Sequence, residues 1–378
     1  MAGGAGGADM TLRDAFERTL IEVATTRALL SLAMLSVLLY AFYYPAPYSQ
    51  QASVGMRLVV VDQGRSAVGR SIVRALSASR SVAIVGEAPD MAAGEDWLLG
   101  RRADGVLLLS RDLDRVVASP TAPRPGTGVA LVVNAAYFAR AEAIALTVVE
   151  ALLARAAERV QALDRRLPDP GRIVRVQALF NTTAGYRDYI FPAVANIILQ
   201  QTLLFAAARL AAERRRRRAP FAGLPAALGT WGAMVLIGLL AQAFFFGFAY
   251  WVQDVPRAGN MAGLAIAMPL FAGAVSALGL AIGALLRDGD SALKLLIPTS
   301  VPLVFLAGFA WPLDQMPSWL ATLAWISPAT AAMHVFVRFN QMGATIAEAI
   351  WPLAVMAGLT LLYGTAALWL LSRGRDRS

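Results

Sequence analysis

Between Leu295 and Trp311 the chain runs without a charged side chain, yet Pro298 and Pro302 both stand inside the run. In a soluble helix each interior proline costs about 3 kcal/mol. Membrane helices accommodate prolines because neighbouring helices and local waters take up the freed carbonyls. A tight turn follows, Pro312-Leu313-Asp314-Gln315-Met316-Pro317, and then a second apolar segment carrying Trp319, Leu320, Leu323, Trp325 and Ile326. Ser327-Pro328 interrupts that segment before it is long enough to span a bilayer. With two tryptophans, side chains that prefer the headgroup level, it is expected to lie in the interface or dip back into it as a re-entrant hairpin over 312–340. His334 and Arg338 follow, four apart on one helical face.

The rest of the composition agrees with a membrane solvent. Hydrophobic residues make up 57% of the 378-residue chain and charged ones only 16%, and the mean hydropathy is +0.56, the profile of a polytopic membrane protein with a soluble insert. Cysteine is absent and His334 is the sole histidine, so thiol chemistry and multi-histidine metal sites are excluded. The net charge of +9 sits in arginine clusters beside apolar runs, which fits the positive-inside bias and not a nucleic-acid-binding face.

Taken in order, the chain opens with a Gly/Ala-rich stretch. Thr11 and Asp14 then form a capping-box pattern, and Leu12, Phe16, Leu20 and Val23 recur at helical spacing opposite Arg13, Glu17, Arg18 and Glu22. Residues 1–27 therefore read as a cytoplasmic segment with an amphipathic helix suited to the membrane surface. Residues 28–44 form a first crossing, expected to be retained as an anchor. A soluble insert over 45–189 holds four β-branched runs, 56–63, 81–88, 104–110 and 129–135, alternating with helical stretches, the pattern of an α/β layer. Val59-Val60-Val61-Asp62-Gln63-Gly64-Arg65-Ser66 lacks the G-x-G-x-x-G spacing of a dinucleotide loop. Five further crossings are placed at 190–210, 229–252, 261–286, 295–311 and 349–371, so 190–378 forms the rest of the bundle.

Loop charges orient this arrangement. Arg13, Arg18 and Arg27, the run Arg214 to Arg218, Arg287 with Lys294, and Arg373, Arg375 and Arg377 all fall on one side if both termini are cytoplasmic. The insert then lies outside. The fold class expected is a six-helix polytopic membrane protein with an extracytoplasmic α/β domain between its first and second crossings.

Leu306-Ala307-Gly308-Phe309, Pro312, Met316-Pro317, Trp319-Leu320, Pro328 and Arg338 together resemble the fifth helix and following hairpin of type-2 ABC exporter permeases. The Val-Val-Asp-then-Ser opening at Val60 to Ser66 resembles the start of the extracytoplasmic domain in the multidrug branch of that family. Leu179-Phe180-Asn181-Thr182 with Tyr189-Ile190-Phe191-Pro192 resembles the lead into its second helix, with Thr182 in place of the usual proline and Ala193 in place of a glycine. The resemblance implies a permease subunit of an ATP-driven exporter in a bacterial inner membrane, paired with itself or a second permease and served by an ABC-type ATPase, a family in which a periplasmic adaptor and outer-membrane channel are further partners. It also implies docking to the ATPase through a glutamate after the second helix. Glu213 holds that place, with Arg214 and Phe221 beside it, although the Gly-Thr pair that commonly follows is replaced by the arginine run. The same arginines also serve topology and contact with anionic lipid. An outer gate would then comprise Pro298, Pro302, Gly308, Pro312, Met316, Pro317, Trp319, Trp325 and Pro328.

The chemistry missing from the chain narrows its work. The middles of the crossings hold no ionisable groups, Gln200, Gln201 and Gln242 being the most polar residues there, so the buried carboxylates of ion-coupled carriers are absent. Lys294 is the sole lysine and lies in no glycine loop, so the chain carries no phosphate-binding loop; no cofactor is expected, and ATP would be bound by a partner. His334 reads as a solvated or interfacial side chain, with no nucleophile elbow near it. A second reading remains open at this point: a membrane-anchored receptor or envelope-assembly scaffold whose α/β domain binds a ligand.

Overall fold

Thr11 closes the first helix by its side chain. Its hydroxyl accepts from the amide of Asp14 while the Asp14 carboxylate accepts from the amide of Thr11, so α1 (Leu12–Thr25) begins with both capping-box bonds made. The computed structural model describes residues 10–48, 54–118, 128–133, 138–163, 186–217, 223–257 and 259–372. At Thr26 the chain bends by 86° into α2 (Arg27–Tyr43), whose Ser31–Leu35 turn is widened to π-helix.

The chain separates into two compact units, one of residues 50–178 and one of residues 1–49 with 179–378. In the first unit β1 (Met56–Asp62), α3 (Ala67–Ser77), β2 (Val82–Glu87), α4 (Met91–Leu99), β3 (Gly105–Leu109), α5 (Leu113–Ala118), β4 (Val129–Val133) and α6 (Phe138–Leu163) follow in order. The strands lie in the order β2-β1-β3-β4, with β1 parallel to both neighbours and β4 antiparallel to β3. All four expected strands are present. Their near-continuous apolar runs suit a sheet covered on both sides. Leu58, Val60, Leu107 and Leu109 point to α3 and α6, meeting Ile72, Leu76, Ile144 and Val148, while Val59, Val61 and Val106 face the opposite way toward Met91 and Trp97. The Asp104 carboxylate ties the sheet's entry edge by accepting from the amide and guanidinium of Arg57. The proline-rich loop 119–126 lies outside the described residues.

The second unit continues with α7 (Tyr186–Arg216), α8 (Gly223–Val252, a π-turn at Phe244–Ala249), α9 (Met261–Leu285), α10 (Gly289–Leu306), α11 (Ser318–Ala324), α12 (Pro328–Asn340) and α13 (Ile350–Ser372). Among the described residues five helices, α7 to α10 and α13, are long and apolar enough to cross a membrane; the number reaches seven if the bent pairs α1–α2 and α11–α12 each cross. The most apolar stretch of α7 is 94% buried within its unit, against 17% for α10. α7 is thus the axis of the bundle, and α10 its most loosely held member.

Several boundaries differ from the sequence expectation: α7 runs over Tyr186–Arg216 and not 190–210. α8 begins at Gly223, six residues before the expected crossing. α10 begins at Gly289 instead of 295, because the Asp288 carboxylate caps it through the Ser291 amide at 2.7 Å; Asp290 and Lys294 therefore lie within the helix. It ends at Leu306 instead of 311, where Ala307 and Gly308 leave the helical path. The amphipathic α1 also differs in its buried face. Ala15, Thr19 and Val23 are covered by protein while Leu12 is half exposed, so α1 lies against the bundle as well as having a free face.

Candidate functional site

The last two turns of α7 carry arginines whose local sequence reads as one basic block, yet the fold sends them in different directions. Arg209 reaches Asp290 at the start of α10 at 3.1 Å. Arg214 turns inward: it pairs with Glu22 at 2.8 Å and donates to the hydroxyls of Thr19 at 2.8 Å and Thr230 at 2.9 Å, joining α1, α7 and α8. Arg215 donates to the carbonyl of Ala284, in the final turn of α9. Glu213 accepts from Arg216 and Arg217 one turn further along its own helix. Of the expected docking residues, Glu213 lies near the surface, Arg214 is buried, and Phe221 lies outside the described residues. Thr19, Thr230 and Asp290 carry no signal of these contacts in the sequence, and Glu22, which helical spacing places on the polar face of α1, turns to Arg214. The exact i, i+4 interval between Arg18 and Glu22 conceals that only Glu22 faces the bundle.

The expected gate residues occupy successive corners of one continuous path. Pro298 sits in a 3₁₀ turn, Ile297–Thr299, which divides α10, and Pro302 lies in the segment beyond it. Gly308 has φ +88°, a conformation that makes it the turn out of α10; a Cβ there would lie 2.9 Å from Leu313. Pro312 opens a 3₁₀ turn at Leu313–Gln315, Met316 is extended, and Pro317 starts α11. Trp319 is exposed, whereas Trp325 is half buried and stacks on His334 with ring centroids 5.2 Å apart and planes at 21°. Of the two expected settings for His334, solvated or interfacial, the solvated one does not hold: its ring packs on Trp325 and its Nε2 is buried. The proline-punctuated linkage between α11 and α12 bends them by 79°.

Tyr189, Gln200, Tyr363 and Asn260 hold this hairpin to the bundle. The Tyr189 hydroxyl, in the first turn of α7, donates to the Phe309 carbonyl. The Gln200 side chain, farther along α7, accepts from the Ala329 amide at 2.6 Å and donates to the Ser327 hydroxyl at 3.2 Å. Tyr363 of α13 donates to the Ile326 carbonyl at 2.7 Å. At the other end of α12, the Phe339 carbonyl accepts from the Asn260 amide at 2.8 Å, and the Asn260 side chain donates to Ala344. Among the three glutamines flagged by the sequence, Gln200 thus binds the hairpin and Gln242 joins α8 to α9 through Gly238 and Met268. Gln201 has neither amide atom bonded among the described residues.

At the entrance of α10 the Ser291 amide holds the Asp288 carboxylate below the usual carboxylate range. No cluster of metal-ligating side chains occurs among the described residues.

The arrangement combines a central buried helix, a divided helix little covered by protein, and a helix pair bent by 79°. Residues 27–369 match the family described as "ABC-2 family transporter protein". The chain is also similar to the "Probable multidrug ABC transporter permease YbhR" of Escherichia coli K12, with 21% identity over 208 residues, 52% of this chain and 56% of that protein. The corresponding protein of Escherichia coli O157:H7 shows the same identity and coverage. The chain spans about half the length of the curated relatives it matches. With the family match running from the start of α2 to the last turns of α13, the chain belongs to the ABC-2 family of transporter proteins.

Proposed function

We propose that the chain is the membrane subunit of an exporter for drug-like or amphiphilic molecules, working as a dimer and energised by a separate ABC-type ATPase. α2, α7, α8, α9, α10 and α13 supply six crossings of a bacterial inner membrane, with both termini cytoplasmic and the α/β unit outside. α11 and α12 re-enter from the outer side without crossing. The observation that carries this reading is α10. It is divided at Ile297–Thr299, and Ile297, Val301 and Phe305 form an exposed row at four-residue spacing. A second permease seated along that row gives the apolar face a partner and places a path for an amphiphile between two divided helices. ATP binding then draws the two permeases together and alters the geometry of α10 below the hairpin.

The ATPase docks on 213–225, with Glu213 and Phe221 at the contact and Arg214 holding α1 in place behind it. The test is co-expression with an ABC-type ATPase, co-purification, and ATP-dependent export of a fluorescent amphiphile from reconstituted vesicles. Glu213→Ala and Phe221→Asp should weaken co-purification while membrane insertion is unchanged. Full ATPase association and export in both variants would remove the docking assignment; absence of any ATPase association or export in the parent chain would remove the exporter reading in favour of an anchored scaffold.

A further inference from the structure

A helix that starts inside hydrocarbon must find partners for its first amide groups, because water is not there to supply them. α12 starts under that constraint. Gln200 lies fourteen residues along α7 and Tyr363 thirteen residues along α13. At 1.5 Å per residue, each contact is about 20 Å from the end of its helix on the side where the hairpin enters. Two independent helices therefore place the 326–329 corner well inside a hydrocarbon layer of about 30 Å. The beginning of α12 has no side-chain cap of its own: Ser327 makes no capping bond, and Pro328 simply removes one donor. The missing cap comes from across the bundle, since the amide that Ser327 leaves unserved, that of Ala329, donates to Gln200.

We propose that Gln200 is a positioning residue for transport: its side chain fixes the inner corner of the re-entrant hairpin to α7, so that α7, α11 and α12 move as one body. The remaining geometry divides the mobile part from the fixed part. Tyr189 ties the outer end of α10 to α7 through Phe309, and Arg209 ties its inner end to α7 through Asp290. Between these two ties α10 contains the 3₁₀ turn and its exposed apolar row, and just before the outer tie comes the Gly308 turn. Displacement is thus confined to the middle of α10, while the hairpin stays where Gln200 and Tyr363 hold it. This inference rests on the exporter reading for its consequence in transport, but not for the contact itself.

The chain contains no cysteine, which allows a direct test. Thr330 is 1% exposed and its hydroxyl makes no hydrogen bond among the described residues, so Thr330→Cys places a reporter thiol beside the cap with little disturbance. In the full chain in lipid vesicles, labelling of that thiol by a small water-borne methanethiosulfonate should be slow. Adding Gln200→Met, which keeps the length and removes the bonds to Ala329 and Ser327, should speed it by about tenfold or more, since loss of the helix-amide bond alone is worth about that factor. Gln200→Glu, compared with the parent and Gln200→Met at one mildly acid pH where the neutral acid keeps an acceptor and a donor, should label as slowly as the parent and more slowly than Gln200→Met. Tyr363→Phe should speed labelling independently by releasing Ile326. This arm needs neither ATP nor a partner, and equal rates in all variants would overturn the assignment even if export fails. In the second arm, Gln200→Cys with Ser327→Cys is bridged by a short bifunctional thiol reagent in the ATPase complex. Export should be impaired in the unbridged pair and recovered on bridging. Arrest of export by the bridge would overturn the one-body movement, as would full export without it.

Discussion

Arg214, which is buried, and Glu22, which is partly exposed, form an ion pair 2.8 Å apart between helices that the chain separates by nearly two hundred residues. Removing one partner from such a pair leaves a buried charge uncompensated, at a cost of about 3–5 kcal/mol. Arg214→Ala should therefore lower stability strongly, whereas Arg214→Met with Glu22→Leu should recover part of the loss. Denaturant titration of the purified chain in detergent measures both. A single variant as stable as the parent would show that water reaches the site freely.

The close approach of α1 to α8 depends on Gly229. A Cβ built there would collide with the carbonyl oxygen of Leu12, a backbone atom that cannot rotate away. Gly229→Ala should push α1 off the bundle and cost about 1–3 kcal/mol. Gly358→Ala is the matched control, since no atom lies within 4 Å of its added Cβ. There the substitution should be neutral or gain up to about 1 kcal/mol from helix propensity.

A reporter fused after Arg375 should be cytoplasmic and one inserted near Gly126 extracytoplasmic, by the distribution of arginines about the apolar segments. Placement of both on one side would eliminate the six-crossing arrangement. Protease protection of tags at the same positions provides the check.

Asp288 gives a pH dependence whose sign is defined. Its folded pKa lies below the ordinary 3.8, so the cap stabilises the folded chain above that value and loses its effect as pH falls through the folded pKa. The parent should melt at a higher temperature than Asp288→Ala at pH 7, with the two curves converging as pH is lowered below 4. A difference that is constant with pH would mean that the carboxylate charge contributes nothing to the cap.

Most of the helices and all four strands were legible in the chain because they follow from local patterning. The apolar stretch at 190–210 lies inside α7, those at 261–286 and 349–371 agree with α9 and α13 to within one residue at each end, and the capping box at Thr11 and Asp14 is formed as the residues predict. Local reading failed at α10 because it excluded charge: Asp288, Asp290 and Lys294 made the segment look like a loop, whereas the first of them is the cap that starts the helix.

The candidate site was legible as a set of residues but not as a set of contacts. Pro298, Gly308, Pro312, Pro317 and Pro328 mark every corner of the path from α10 to α12, because proline and glycine restrict or release the backbone wherever they occur. What each polar side chain meets is another matter. The arginine run looks uniform in sequence, yet successive residues on a helix point about 100° apart, so Arg209, Arg214 and Arg215 reach three different neighbours while Arg216 and Arg217 stay with Glu213. In the same way the sequence determined that Gln200 is a polar group in an apolar helix. Only the tertiary structure decided that its partner is the first free amide of α12, because a cap supplied from another helix leaves no trace in the spacing of either segment.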